Sequence, residues 1–127
     1  MTIPTAEYDT IVVGGGPSGA TAATDLARRG HRVLLLERGF RIKPCGGAIP
    51  PCLLEEFDVP EKLLKARVRS ARMISPRGDS VDMPIDGTFV GMVDRDEFDP
   101  WLRDRAKDSG ATVMLGAFKS LRYDGDL

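Results

Sequence analysis

The chain has little of what builds several common kinds of site. Its 127 residues include one histidine, two cysteines and one tryptophan, and aromatics amount to 6%. A single imidazole, His31, cannot supply a histidine-based triad or a multi-histidine metal site. Its position after an expected helix end reads instead as a cation at the helix dipole. Two cysteines are too few for the disulfide framework of a small secreted domain, which points to a reducing compartment. Charge of one sign is lacking too: 18 Lys+Arg against 19 Asp+Glu leave a net charge of -1, so no global field favours nucleic acid. The longest apolar runs, such as residues 10–13 and 33–36, fall far short of the ~20 residues of a membrane span. Residues 1–9 have neither the basic start nor the apolar stretch of a signal peptide. With 42% hydrophobic and 29% charged residues, the composition is that of a folded cytoplasmic unit of one domain's length.

What is present is a strand–helix–strand opening. Residues 8–13 read as a short strand with β-branched Ile11, Val12 and Val13. Gly14-Gly15-Gly16-Pro17-Ser18-Gly19 follows and opens a helix over 17–29, whose Ala20, Ala23 and Ala27, with Leu26, form a small apolar face. Gly30 stands where a left-handed cap is expected, beside Arg28, Arg29 and His31. Residues 32–37 are nearly all apolar, as in a strand covered on both faces. Together these make a parallel crossover unit.

Residues 40–51 read as a loop, and short helices are expected over 52–57 and 60–65. Strands over 68–74 and 81–85 flank the turn Ser75-Pro76-Arg77-Gly78-Asp79, and 89–93 is a third strand-like run. The helix over 94–109 places Phe98, Trp101, Leu102 and Ala106 on one face and stops at Gly110. Asp94 with Glu97 resembles a capping box, but Pro100 then lies late, which favours Asp96 as the cap. Extended structure resumes over 112–115 and 118–123, and Asp124-Gly125-Asp126 is a turn signal, so the chain is expected to stop inside a hairpin.

The glycine-rich turn carries the most chemistry. Gly14-x-Gly16-x-x-Gly19 is a weak pattern alone, but here it follows a β-branched strand, opens a helix, and precedes a second strand ending in Glu37. Gly14 permits the tight turn, Gly16 lets a pyrophosphate approach the backbone, and Gly19 lets the helix lie close to the sheet. The helix start offers N–H groups and a positive dipole end to a diphosphate. Glu37 accepts hydrogen bonds only, which suits ribose hydroxyls and repels a 2′-phosphate. The dinucleotide at this turn is therefore expected to be FAD or NAD and not NADP(H).

Cys45 lies in Lys43-Pro44-Cys45-Gly46-Gly47-Ala48-Ile49-Pro50-Pro51, shortly before Cys52. A redox-active dithiol is disfavoured by the wide spacing and by Pro50-Pro51 before Cys52. Two readings of Cys45 remain: a thiol facing substrate while Gly46 and Gly47 pass close to a flavin ring, or a small buried side chain. Cys52 reads as the latter. Lys62, Lys65, Arg67, Arg69, Arg72 and Arg77 form a basic stretch without acids. It could attract an anionic cofactor or membrane, but the alternation of Lys65, Arg67 and Arg69 favours a solvated sheet face. Arg95 is either a surface charge or a ligand-facing cation, and Trp101 reads as core.

Several of these segments jointly carry a resemblance: Gly14-Gly15-Gly16-Pro17-Ser18-Gly19-Ala20, Glu37-Arg38, Lys43-Pro44-Cys45-Gly46-Gly47-Ala48-Ile49-Pro50, Ala71-Arg72-Met73-Ile74-Ser75-Pro76 and Gly91-Met92-Val93-Asp94-Arg95. They resemble the geranylgeranyl reductases, most closely the branch of chlorophyll and bacteriochlorophyll synthesis, within the p-hydroxybenzoate-hydroxylase-like FAD superfamily. The first segment is shared by many flavoproteins; the cysteine loop and residues 71–76 are more specific. The resemblance implies an α/β fold, a Rossmann-like FAD-binding βαβ unit with an inserted β-hairpin segment. Residues 1–127 would form the N-terminal portion of an FAD/NAD(P)-binding domain, without the downstream Gly-Asp region or the substrate domain. It assigns Gly14, Gly16, Ser18 and Gly19 to the FAD diphosphate, Glu37 to the adenosine ribose and Arg38 to the neighbourhood of adenine. Cys45, Gly46 and Gly47 would run beside the flavin, Arg95 would reach the ribityl-diphosphate portion, and the Phe118 backbone would touch adenine.

In such reductases NADPH reduces FAD, and the double bonds of geranylgeranyl diphosphate or geranylgeranyl-(bacterio)chlorophyll are saturated to phytyl. An isolated alkene is a poor hydride acceptor, so a proton must reach one carbon as hydride reaches the other, in an apolar groove. Cys45 is the candidate acid. The lipid-like substrate implies peripheral association with a photosynthetic or inner membrane, although no amphipathic anchor is visible. Two other readings stay open: oxygen-dependent aromatic hydroxylation at the same cofactor site, and a non-catalytic nucleotide-binding module. The chain alone is expected to hold FAD weakly and to show no turnover.

Overall fold

The computed structural model describes residues 7–39, 41–123 and 125. In chain order the elements are β1 (Thr10–Val13), α1 (Pro17–Arg28), β2 (Val33–Glu37), β3 (Ala48–Ile49), α2 (Pro51–Glu56), a single 3₁₀ turn (Glu61–Leu63), β4 (Leu64–Val68), β5 (Ser70–Ile74), β6 (Ser80–Pro84), β7 (Val90–Val93), α3 (Arg95–Asp108) and β8 (Thr112–Leu115). The chain divides into two compact units, residues 1–41 with 99–127, and residues 42–98.

The first unit is built on a parallel sheet in the order β1-β2-β8, with Thr10 opposite Val33 and Leu34 opposite Thr112. As the middle strand, β2 buries Val33, Leu34 and Leu35, which is why its sequence is a continuous apolar run and not an alternating one. α1 packs on this sheet through Ala20, Ala23 and Thr24; the Thr24 hydroxyl satisfies itself on the Ala20 carbonyl at 2.8 Å. Small side chains on that face let helix and sheet backbones come close, and Leu35, fully buried, supplies about 2–3 kcal/mol of the apolar gain. α1 ends in a Schellman motif: Gly30 at φ +87° donates to the Ala27 carbonyl (2.9 Å) and His31 to that of Leu26 (3.2 Å). α3 ends likewise, Gly110 donating to Lys107 and Ala111 to Ala106, both at 3.0 Å.

α3 begins at Arg95, and the Asp94 carbonyl accepts its first helical bond from Phe98 at 2.8 Å. Asp94 and not Asp96 is therefore the cap, and Pro100 sits inside the helix, where it leaves the Asp96 carbonyl without its usual donor. Lys65 Nζ engages the Glu97 carboxylate at 2.7 Å. Phe98, Leu102 and Ala106 are buried as expected, while Trp101 is half-buried.

The second unit is larger than an inserted hairpin. It contains an antiparallel sheet in the order β3-β7-β4 as well as the hairpin β5-β6. The expected helix over 60–65 is only a 3₁₀ turn that passes at once into β4, and the strand expected over 68–74 is β5, with only Val68 of that range in β4. β4 and β5 part at Arg69, whose carbonyl accepts from Ile85 at 2.8 Å. The loop expected over 40–51 holds β3 at its end. The basic stretch is a solvated face threaded with ion pairs, Lys65 with Glu97 (2.7 Å), Arg67 with Glu61 (2.9 Å) and Arg72 with Asp82 (2.6 Å), so its acids come from neighbouring strands and helices. Residues 116–123 form no strand, and two of the three residues of the expected final turn, Asp124 and Asp126, lie outside the described residues. Among the described residues no helix is long and apolar enough to cross a membrane.

Candidate functional site

The turn between β1 and α1 is shaped by three different demands on its glycines. Gly14 leaves the strand at φ +104°, a left-handed conformation that disfavours any side chain. A Cβ on Gly19 would collide with the Gly14 carbonyl oxygen, so the helix lies against the turn only because that atom is missing. Gly16 is different. Its φ is -74° and a Cβ there meets nothing within 4 Å, so neither backbone strain nor the protein's own packing calls for glycine. It occupies the N-cap of α1, where Ser, Thr, Asp or Asn would cap better, and no side-chain cap is made. Pro17 at the first helical position has no N–H, and the next N–H groups, of Ser18 and Gly19, point out of the helix start without intrahelical partners. Open space at Gly16 beside the positive end of α1 fits a diphosphate.

Glu37, at the end of β2, reaches this turn directly. Its Oε2 accepts the Gly15 N–H at 2.7 Å and its Oε1 accepts the Gly39 N–H at 3.0 Å. Partial burial works against the charge, but the N–H groups of Gly39 and Gly15, the positive charge of Arg103 and the Arg38 N–H outweigh it and hold the carboxyl below its usual value. Each oxygen keeps further acceptor capacity for a hydroxyl. Arg103 of α3 closes the turn from another side, its Nη1 donating to the Gly15 carbonyl at 3.0 Å. The sequence reading missed Arg103: nothing in the pattern of α3 separates it from Arg105, and it lies 88 positions from Gly15.

The first unit thus brings together Gly14, Gly16, Ser18, Gly19 and Glu37. Arg38 and Phe118 are exposed, with Phe118 at 47%. In the second unit Gly47 takes φ +69°, and a Cβ on it would collide with the Val93 carbonyl, while a Cβ on Gly46 would meet nothing within 4 Å. Gly47 N–H donates to Cys45 Sγ at 3.4 Å. Cys45 and Cys52 are both exposed thiols, which corrects the expectation of a buried Cys52: α2 is short and buries none of its residues. Arg95 is half-buried at the first position of α3.

A parallel β1-α1-β2 unit with a glycine turn at its helix start and an acidic residue closing β2 is the arrangement of the dinucleotide-binding folds. The family profile described as FAD dependent oxidoreductase matches residues 9–48, the stretch that contains this unit, and the chain is related to those enzymes. More particularly, it is related to the geranylgeranyl diphosphate reductases: it is 57% identical over 118 residues to the geranylgeranyl diphosphate reductase of Rhodobacter capsulatus, covering 93% of this chain and 30% of that protein. The crystal structure of a geranylgeranyl bacteriochlorophyll reductase-like protein from Thermoplasma acidophilum matches with a TM-score of 0.79 at 29% identity, over 93% of this chain and 32% of that one. The flavin-dependent brominase Bmp2 shares the fold, with a TM-score of 0.78 at 21% identity over 94% of this chain and 32% of its own. The architecture is therefore the α/β flavin-oxidoreductase fold of the p-hydroxybenzoate-hydroxylase-like superfamily, and the chain spans about a third of the length of the proteins it matches.

Proposed function

We propose that the chain carries the FAD-binding part of an NADPH-dependent geranylgeranyl reductase that saturates isolated double bonds of a geranylgeranyl chain to phytyl. The observation that carries the reading is Gly16, a glycine that the fold itself does not require, beside open helical N–H groups. The relationship to the Rhodobacter reductase supplies the substrate class.

In this reading Gly14, Gly16, Ser18 and Gly19 receive the FAD diphosphate, and Glu37 orients the adenosine ribose with Arg38 near adenine. Phe118 offers its backbone to adenine, Arg95 meets the ribityl-diphosphate portion, and Cys45, Gly46 and Gly47 line the flavin. FAD, when bound, supplies hydride transfer between NADPH and the prenyl chain. The second alkene carbon needs a proton, and Cys45 Sγ, steadied by the Gly47 N–H at 3.4 Å, is the group assigned to hold it. Whether the prenyl chain arrives as the free diphosphate or esterified to a (bacterio)chlorophyll, this assignment is the same, and a lipid-like substrate would hold the enzyme at a membrane surface.

The test is a chimera in which these 127 residues replace the matching segment of the Rhodobacter capsulatus reductase. Under anaerobic conditions with NADPH and geranylgeranyl diphosphate it should retain FAD and release prenyl product with saturated bonds. An FAD-loaded chimera that releases no saturated product without oxygen, and consumes NADPH only when oxygen is admitted, would replace the reading by a monooxygenase. A colourless chimera would reduce the segment to a module that does not hold FAD.

A further inference from the structure

The glycine at position 15 occupies a variable place in the Gly-x-Gly-x-x-Gly pattern, yet in this chain a side chain there would press on two neighbours. A Cβ on Gly15 would stand 3.1 Å from Arg103 Cδ, 3.1 Å from Glu37 Cβ and 3.3 Å from Glu37 Oε2. Gly15 is buried between these two side chains, which grip its two peptide groups separately: Glu37 takes the N–H (2.7 Å) and Arg103 the carbonyl (3.0 Å).

Peptide planarity turns these grips into directions. In a trans peptide the carbonyl and the following N–H point opposite ways. With the Gly15 N–H held by Glu37, the Gly14 carbonyl is turned away from Glu37, and it lies against α1 where a Cβ of Gly19 would collide with it. With the Gly15 carbonyl held by Arg103, the Gly16 N–H is turned away from Arg103. We propose that Arg103 is a positioning residue of the phosphate-binding turn, fixing the Gly15–Gly16 peptide so that the Gly16 N–H is aimed before any diphosphate arrives. The inference rests on the dinucleotide reading of the turn for its purpose, and on the geometry of the ligand-free chain for its mechanism. It gives a reason for a long, costly-to-order side chain from a distant helix to be held against this turn. It also gives Arg103 no contact with substrate, so its effect belongs to cofactor affinity and not to the chemical step.

The experiment compares this chain with Arg103→Gln, Arg103→Lys and, as a charge-loss control on the same helix, Lys107→Gln. Flavin fluorescence quenching reads FAD affinity, with each variant placed in the chimera with the Rhodobacter capsulatus reductase. In the ligand-free protein, NMR reads hydrogen exchange at the Gly15 and Gly16 amides and the titration of the Glu37 carboxyl. Arg103→Gln should weaken FAD binding about tenfold, the scale of one charge-assisted hydrogen bond. It should also speed Gly15 exchange and move the Glu37 midpoint upward, while Lys107→Gln changes none of these. Arg103→Lys keeps the charge without the planar fork and should restore the Glu37 midpoint more fully than the FAD affinity. Gly15→Ala, which displaces Arg103, should cost less affinity in the Arg103→Gln background than in the parent, a coupling that independent effects would not give. Unchanged Gly15 exchange and Glu37 titration in Arg103→Gln would overturn the proposal, as would equal FAD affinity in parent and variant. A chimera that binds no FAD, in a chain whose Gly15 and Glu37 respond to Arg103, would sink the dinucleotide reading and leave the clamp standing.

Discussion

At the scale of single residues, the glycines of one turn separate folding from binding. A Cβ at Gly19 runs into the Gly14 carbonyl, so Gly19→Ala should lower stability by at least about 2–3 kcal/mol and take cofactor binding with it. At Gly16 the same methyl group meets no protein atom within 4 Å, and the only cost of alanine there is that it caps a helix less well than glycine. Gly16→Ala should therefore lose no more than about 1 kcal/mol of stability while a chimera that carries it loses most of its FAD affinity. Thermal denaturation of the chain and flavin fluorescence quenching of the chimera check both halves, and equal FAD binding by the Gly16→Ala chimera would remove the observation on which the functional reading stands. The pattern of Gly14, Gly16, Gly19 and Glu37 was legible in the sequence because a dinucleotide turn is local, with every part but the acid inside six consecutive residues. Arg103 was not legible, since its partner is a backbone carbonyl 88 positions away and carries no side-chain signature. Gly15 was hidden for the same reason: its constraint comes from Glu37 and Arg103, not from the turn.

Among the elements, those with strong local signals matched their sequence reading. β2 reads as a continuous apolar run because it lies between β1 and β8, and α1 is bounded by Pro17 and the Gly30 cap. The residues around 60–68 were misread because a short apolar run fits helix or strand equally, and pairing of β4 with β7 decides for strand. Asp96 was favoured as the cap of α3 because Pro100 argued for a later start, yet the helix tolerates the proline one turn in and caps on Asp94. The join of β1 to β2 makes a prediction of its own. Arg32 holds Asp9 through side-chain bonds at 2.7 and 3.3 Å and a backbone bond at 2.7 Å. These bonds lower the Asp9 pKa from 3.8 to about 2, against a small opposing effect of desolvation. A carboxylate with a depressed folded pKa stabilises the fold above its unfolded value and loses that contribution as pH falls through the folded value. Asp9→Asn should therefore melt below the parent at pH 7, and the gap should close between about pH 4 and pH 2. Melting curves across that range decide it, and a gap that persists at pH 2 would show that the ion pair is not its source.

For the molecule as a whole, the distribution of apolar surface is uneven in a way that follows from the sheet. A parallel sheet is ordinarily covered on both faces, and its strands are apolar on both sides for that reason. In the first unit Val12 faces α1, where its Cγ1 would lie 3.3 Å from a Cβ on Gly19, so Ile11 and Val13 project from the opposite face of β1, 50% and 57% exposed. Leu35 of the central strand has no exposed surface at all. The same residue class should thus give opposite responses in one small sheet. Leu35→Ala should cost about 2–5 kcal/mol, since it removes a fully buried side chain and leaves a cavity. Replacing Ile11 and Val13 together by Thr keeps β-branching, removes only exposed methyl groups and should shift stability by no more than about 0.5 kcal/mol per site. Exposed aliphatic side chains on a strand with one neighbour among the described residues also favour association between copies of this chain, so the double variant should sediment as a smaller average species than the parent at equal concentration. Denaturant titration paired with sedimentation velocity tests the contrast, and a double variant as destabilised as Leu35→Ala would mean that the outer face of β1 is packed and not exposed.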